Sequence, residues 1–240
     1  MRNKKGSSLF ATTLKTQLVF VLVAISVIPM VLVGLFTYIN TTNHVTMEKE
    51  NTLRAYSQYI YDKIETHAKN ADNVLRGLTN NADLIETLKD FNSSSRTQNT
   101  LSYYSIISTL QSTVNSSEKI YATAFVTDTA GKVVIDGSKF GNNYNGKLFF
   151  DTKELEIIKK SRGIYIGHPF VSETAGRLLL PFSKPVSSRF GFMGVVTIMY
   201  DMGKCTESFN KIDFGKTGII KIVSNKNIIL YHTETKFINK

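Results

Sequence analysis

The stretch KIYATAFVTDTAGKVVID, residues 119–136, decides the fold. Its first part alternates: Ile120, Ala122, Ala124 and Val126 share one face, and Tyr121, Thr123, Phe125 and Thr127 share the other. A period of two is the mark of a strand. DTAG supplies turn formers, with Gly131 available for a positive φ, and KVVID returns as a second strand. The phrase VTDTAGKVV, residues 126–134, is nearly repeated as VSETAGRLL, residues 171–179. Each copy is an acidic-Thr-Ala-Gly corner between apolar runs, so the two predict hairpin corners of one antiparallel sheet. IYIGHPFVS, RLLLPFSKPVSS and FMGVVTIMYD supply further strands, the last two joined by a turn at RFG. The strands differ in kind and a short helix, KLFFDTKELEIIKKS, interrupts them, which argues against a propeller or solenoid.

Upstream the period changes to that of a helix. From Leu53 through Tyr56, Ile60, Ile64, Ala68, Ala71, Val74, Leu78, Ala82 and Ile85 to Leu88 the apolar positions step by three and four, an amphipathic stripe. His67 lies in that stripe and reads as a packed residue. A continuous helix over residues 42–90 would extend ~70 Å. FNSSSRTQNT, residues 91–100, is a loop signal, and Leu101, Tyr104, Ile107, Leu110 and Val114 mark a shorter helix after it.

Further upstream, LVFVLVAISVIPMVLVGLFTYI, residues 18–39, carries no charge. A helix of that length covers ~33 Å, about one hydrocarbon core. Arg2, Lys4, Lys5 and Lys15 precede it without an acid, whereas Glu48, Lys49 and Glu50 follow it nearly balanced. The excess of positive charge places the N-terminus in the cytoplasm and residues 40–240 outside. The apolar run exceeds the ~7–15 residues of a cleaved signal and lacks a small-x-small site at its end, so an uncleaved anchor is expected.

Composition closes off several classes. Lys plus Arg number 29 against 19 Asp plus Glu, a net charge of +10, but the surplus is spread thinly and reads as solvated surface; no nucleic-acid partner is expected. The single cysteine, Cys205, excludes an intrachain disulfide framework and a Cys-rich zinc site, and reads as a small buried residue. The histidines, His44, His67, His168 and His232, lack metal-ligand spacing. HExxH, GxSxG, Walker and dinucleotide fingerprints are all missing from the sequence. Neither an enzyme nor a cofactor is expected, and no metal site.

After a helix around KCTESFNKI, GKTGIIKIVSNKNIILYH, residues 215–232, opens a second sheet with a weaker corner at IVSNKNIIL. Two strands alone lack a core, so the 240 residues are expected to be the N-terminal part of a longer protein. The fold class is α+β: a single N-terminal transmembrane helix, a long stalk helix, a PAS-like antiparallel sheet, and a second, membrane-proximal sheet begun but truncated.

This order of parts resembles the double Cache sensor ectodomain of bacterial methyl-accepting chemotaxis proteins. YIGHPFVSETAGRLLLPFSKPV, residues 165–186, is similar to the family's recurrent stretch: a tyrosine-containing strand, a Pro-aromatic pair, a Gly-terminated turn and a strand ending in Pro-Val. The resemblance covers residues 10–240. It implies a cytoplasmic N-terminus (1–17), a membrane span (18–39), an extracellular stalk (40–91), a membrane-distal sensor subdomain (100–202) and the start of a membrane-proximal one (203–240).

The same ectodomain occurs on histidine kinases and cyclic-dinucleotide enzymes, so those remain alternatives to a chemoreceptor; an anchored adhesion domain is a more remote one. The implied partners are a small-molecule ligand or a ligand-carrying binding protein, the lipid bilayer, a second copy in a homodimer, and a cytoplasmic kinase and adaptor. The implied ligand site comprises Tyr121, Tyr144, Phe149, Phe150, Tyr165, His168, Phe170 and Met199. Amino-acid-binding members carry Tyr, Arg and Trp at close spacing, then Tyr and Asp. Here Tyr144 fits the first, but Phe149 and Asp151 stand where Arg and Trp would be, Phe170 where Tyr would be and Met199 where Asp would be. Without the guanidinium fork a carboxylate loses its matched partner, which argues against an amino acid as ligand. Read on their own, Phe149 and Phe150 are core residues rather than pocket.

Overall fold

A computed structural model describes residues 14–93, 100–138, 144–172, 176–189, 191–213, 218–224 and 227–238. The basic N-terminal residues, 94–99 and 139–143 of the two predicted loops, the Glu-Thr-Ala of the ETAG corner (173–175), Phe190 of the RFG turn, the FGKT of the second sheet's approach (214–217), the tip of its corner (225–226) and the last two residues lie outside the described residues. The chain divides into two units, 1–59 and 60–240.

In the first unit the chain is helical from Leu14 onward, within α1 (Leu14–Thr79). This helix includes a segment long and apolar enough to cross a membrane, and the large hydrophobic side chains between Leu18 and Ile39 are exposed.

The second unit contains the sheet. Six strands are β1 (Tyr121–Thr127), β2 (Val133–Asp136), β3 (Tyr165–Ile166), β4 (Phe170–Val171), β5 (Leu178–Ser188) and β6 (Gly191–Asp201). They run in the order β2-β1-β6-β5-β3, with β4 also on β5, and each described pairing is antiparallel. Both predicted hairpins therefore belong to one sheet. At the first corner Asp128 does the turning: its Oδ1 accepts the Ala130 and Lys132 N–H groups, each at 2.9 Å. Gly131 sits at φ +82°, where a Cβ would lie 2.4 Å from the Phe150 carbonyl oxygen. The stretch read as one strand, IYIGHPFVS, is two short ones, because Pro169 has no N–H to offer and Gly167 passes so close to Pro181 that a Cβ would meet its ring at 2.7 Å.

The helices cover one face. Residues of α1 from Ile60 onward, α2 (Ala82–Asn92) and α3 (Thr100–Ser116) bring Ala71, Leu75, Leu88 and Leu110 against Ala124, Val126, Val196 and Ile198. Full burial of each of the Leu, Val and Ile side chains contributes ~1.5–3 kcal/mol. Lys184 on β5 reaches Asp72 on α1 at 2.7 Å, and Arg76 holds the other carboxylate oxygen at 2.7 Å. The helix expected to continue to Asp90 instead ends at Thr79, and a new one starts at Ala82. The Asn81 side chain accepts the Leu84 N–H at 3.1 Å, an N-cap that satisfies a donor left free at the start of α2. The apolar stripe runs straight through this break, which is why periodicity alone missed it.

The other face is covered by residues 144–151 and α4 (Thr152–Lys160). This helix starts five residues later than the KLFF reading, since Asp151 caps it by accepting the Glu154 N–H at 2.7 Å. After β6 come a short helix, α5 (Met202–Cys205), a 3-10 turn (Glu207–Lys211) and the second sheet, β7 (Lys221–Val223) paired antiparallel with β8 (Ile229–His232). Phe209, Ile220 and Tyr231 form its small core.

Candidate functional site

The implied ligand face is the one turned away from the helices. Phe125 of β1, Val133 of β2, Leu179 of β5 and Met199 of β6 form its floor, all nearly inaccessible to solvent. Tyr144, Phe149 and Phe170 lie over it. Phe125 stacks on Tyr144 at 5.3 Å between ring centroids and meets Phe149 edge-on at 4.7 Å. Phe149 in turn touches Phe150 at 4.8 Å and Phe170 at 6.1 Å. These offset and edge-on contacts are how aromatic rings fill space. Phe150 sits deeper still, with Leu155, Ile158 and Val195, as a core residue.

Backbone bonds hold this cover down. The Gly131 carbonyl accepts the N–H groups of Phe149 (2.9 Å) and Phe150 (3.3 Å). Asp136, buried at the end of β2, accepts the Ser138 N–H, the Ser138 hydroxyl and the Tyr144 N–H, the last at 2.8 Å. Asp136 is thus a positioning residue that sequence reading missed; an acid closing a four-residue apolar strand was the available signal. Burial pushes the Tyr144 phenol above its ordinary range, opposed by a hydrogen bond with Ser172.

Beside the cluster a recess of about 220 Å³ remains, lined by Phe149, Phe150, Glu154, His168, Phe170 and Pro181. The Tyr165 hydroxyl donates to Glu154 at 3.4 Å; burial, followed by the charge of Glu154, raises the Tyr165 pKa. Among the described residues, neither Arg nor Lys lines this recess. Arg177 is engaged elsewhere, with buried Asp201 at 3.0 Å.

Seven of the eight expected residues therefore lie on this face or at its β3–β4 rim, where Tyr165 and His168 also border a cavity that opens to the helix side. Tyr121 does not. Strict alternation put it with Phe125, but the β1–β6 register shifts between Tyr121 and Thr123. The bulge adds a residue and turns Tyr121 to the helix face, where its ring lies 4.9 Å from that of Tyr200.

No known protein family matches the sequence, and no curated protein matches it. Solved structures do share the fold. The sensor domain of the histidine kinase DctB from V. cholerae superposes with a TM-score of 0.61 at 10% identity, over 78% of this chain and 68% of that one. The ligand-binding domain of the Pseudomonas fluorescens chemoreceptor CtaA, in complex with L-isoleucine, gives 0.56 at 15% identity, over 82% and 74%. That of the Campylobacter jejuni chemoreceptor Tlp3, in complex with 4-methylisoleucine, gives 0.55 at 14% identity, over 76% and 68%. The chain thus has the fold of a Cache sensor ectodomain.

Proposed function

We propose that this chain is the sensing part of a transmembrane chemoreceptor. Residues 18–39 anchor it, residues 40–240 face the exterior, and a small molecule bound by the sheet unit shifts a two-state equilibrium that reaches a cytoplasmic signalling domain. The observation that supports this reading is a conjunction: a charge-free helical segment of membrane length lies N-terminal to a sheet whose fold is shared with CtaA and Tlp3. The size of any shift is set by the ligand's differential affinity for the two states. Helices packed on a sheet, like the Asp72–Lys184 contact between α1 and β5, are elements that move as units in such switches.

A histidine-kinase output is the second reading, favoured by the likeness to the DctB sensor domain. Loss of the protein should abolish taxis toward its ligand if the output is chemotactic, and ligand-dependent transcription if it is a kinase. The topology is tested on intact cells: externally added protease should remove the sheet unit, and protection of that unit from protease would overturn the reading. The chain is also read as a parallel homodimer. In a Cys205→Ser background, single cysteines along residues 45–60 should crosslink between copies in membranes, with a helical periodicity in yield.

A further inference from the structure

On the helix side of the sheet lies a cavity of about 440 Å³, inside the range of small-molecule sites. Its floor is buried: Leu180 and Phe182 of β5, Tyr200 of β6, and Met202, Cys205 and Phe209 after it. Ile64, His67 and Ala68 of α1 form one wall, and Ile222 and Leu230 of the second sheet form another. The mouth is apolar too, with Ile64, Ile157 and Ile166 each 43–56% exposed.

The composition of this wall selects its occupant. Among the described residues, none that line it is Asp, Glu, Lys or Arg. An ion placed here would lose its hydration with no opposite charge to replace it, a penalty of several kcal/mol. The hydroxyls in the wall are already engaged. Tyr200 donates to the His67 carbonyl at 2.9 Å, Thr206 to the Met202 carbonyl at 2.7 Å and Tyr165 to Glu154 at 3.4 Å, and the Ser224 hydroxyl accepts the Ile228 N–H at 3.1 Å. Two imidazoles, His67, met edge-on by Tyr200 at 6.0 Å, and His168 at the sheet edge, add polar groups of a different kind. A neutral imidazole offers one donor and one acceptor, enough to orient a single hydroxyl, carbonyl or ring N–H.

We infer that this cavity binds an uncharged, predominantly apolar small molecule carrying at most one or two polar atoms, of the class of a short alcohol, a cyclic ketone or an indole. The cavity shares Gly167 and His168 of the sheet edge with the recess on the opposite face, which carries the Glu154 carboxylate. A ligand here touches α1, the main sheet and the second sheet together, so its binding depends on how those three are arranged. That consequence rests on the sensor reading above; the binding itself does not.

Cys205 supplies the test. It is the one cysteine of the chain, it lines the cavity, and burial pushes its thiol up to about 12. The rate at which methyl methanethiosulfonate modifies it, followed by mass spectrometry on the intact chain in lipid nanodiscs, reports access to the cavity. Indole, 1-hexanol and cyclohexanone are the neutral probes; L-isoleucine and succinate are the charged controls.

At least one neutral probe should slow labelling tenfold or more and saturably, while the controls leave it unchanged. Ala68→Phe, which fills the cavity, should slow labelling without any probe and remove the probe's effect. If that variant does not fold, Ile64→Phe at the half-exposed mouth serves the same purpose. The inference is overturned if none of the neutral probes protects, or if L-isoleucine protects as well as they do. It is also overturned if protection depends on the concentration of the protein itself, which would assign the cavity to a second copy. Should the neutral probes fail while a charged metabolite raises the melting temperature, the inference falls and the sensor reading stands; should no small molecule bind at all, both fall.

Discussion

The two faces of the main sheet are built from the same strands and do opposite things. On one, Phe125, Tyr144, Phe149 and Phe170 interlock over Met199 and leave a recess of about 220 Å³ beside a carboxylate. On the other, the aromatic residues Tyr121, Phe182 and Tyr200 pack together, with rings 4.5–4.9 Å apart, yet α1 and the second sheet leave a cavity of about 440 Å³ next to them, without Asp, Glu, Lys or Arg among its described lining residues. The face that the resemblance marks for ligand is nearly full, and the face that the helices cover has room. In one sheet, alternate residues of each strand are free to diverge in this way because they never share neighbours.

Substitutions on each face break or sharpen this contrast. Phe182→Ala should have the largest effect, destabilising the unit by ~3–5 kcal/mol and speeding modification of Cys205 by enlarging the cavity; denaturant melts and labelling rates read both. Phe149→Ala should cost about 3 kcal/mol if the opposite cluster is packing, whereas a change within ~0.5 kcal/mol would make that cluster an open site and remove the contrast. Gly194→Ala probes the backbone between the faces: at φ +152° its new Cβ would lie 2.1 Å from the Thr127 carbonyl oxygen, so a loss of about 1–3 kcal/mol is expected. Tyr200→Phe removes the hydrogen bond to the His67 carbonyl and the longer one shared with the Tyr121 hydroxyl, and should cost about 1 kcal/mol.

The smallest effect is with pH. Burial, and then the charge of Lys63, hold the His67 pKa below its usual 6.5. The unfolded chain therefore takes up this proton first as the pH falls. The contribution of neutral His67 is fully present above pH 6.5 and is lost progressively below it; His67→Gln should flatten that slope. Asp72, held low by its hydrogen bonds to Lys184 and then Arg76, adds a separate loss below its ordinary 3.8.

Much of the architecture was legible from periods. The shift from 3.6 to two at residue 120 located the sheet, and the two acidic-Thr-Ala-Gly phrases located its corners. What interrupts a period without changing composition was not legible. The Asn81 cap breaks a helix whose stripe continues from Leu78 to Ala82, and one bulged residue near Ala122 moves Tyr121 to the opposite face. For the candidate site, the resemblance pointed to Tyr144, Phe149, Phe170 and Met199, which the structure brings together on one face, while Phe150 packs as core. The larger cavity was not, because its walls come from separate segments of the chain, from Ile64 to Leu230, and no local pattern links them.

Thermal denaturation of the chain in nanodiscs, across a panel of neutral and charged metabolites, tests most directly whether the sheet unit is a detector. Ligand at a hundredfold its Kd should raise Tm by about 5–10 °C, saturably, for at least one compound. Superimposable melting curves across the whole panel would contradict the account.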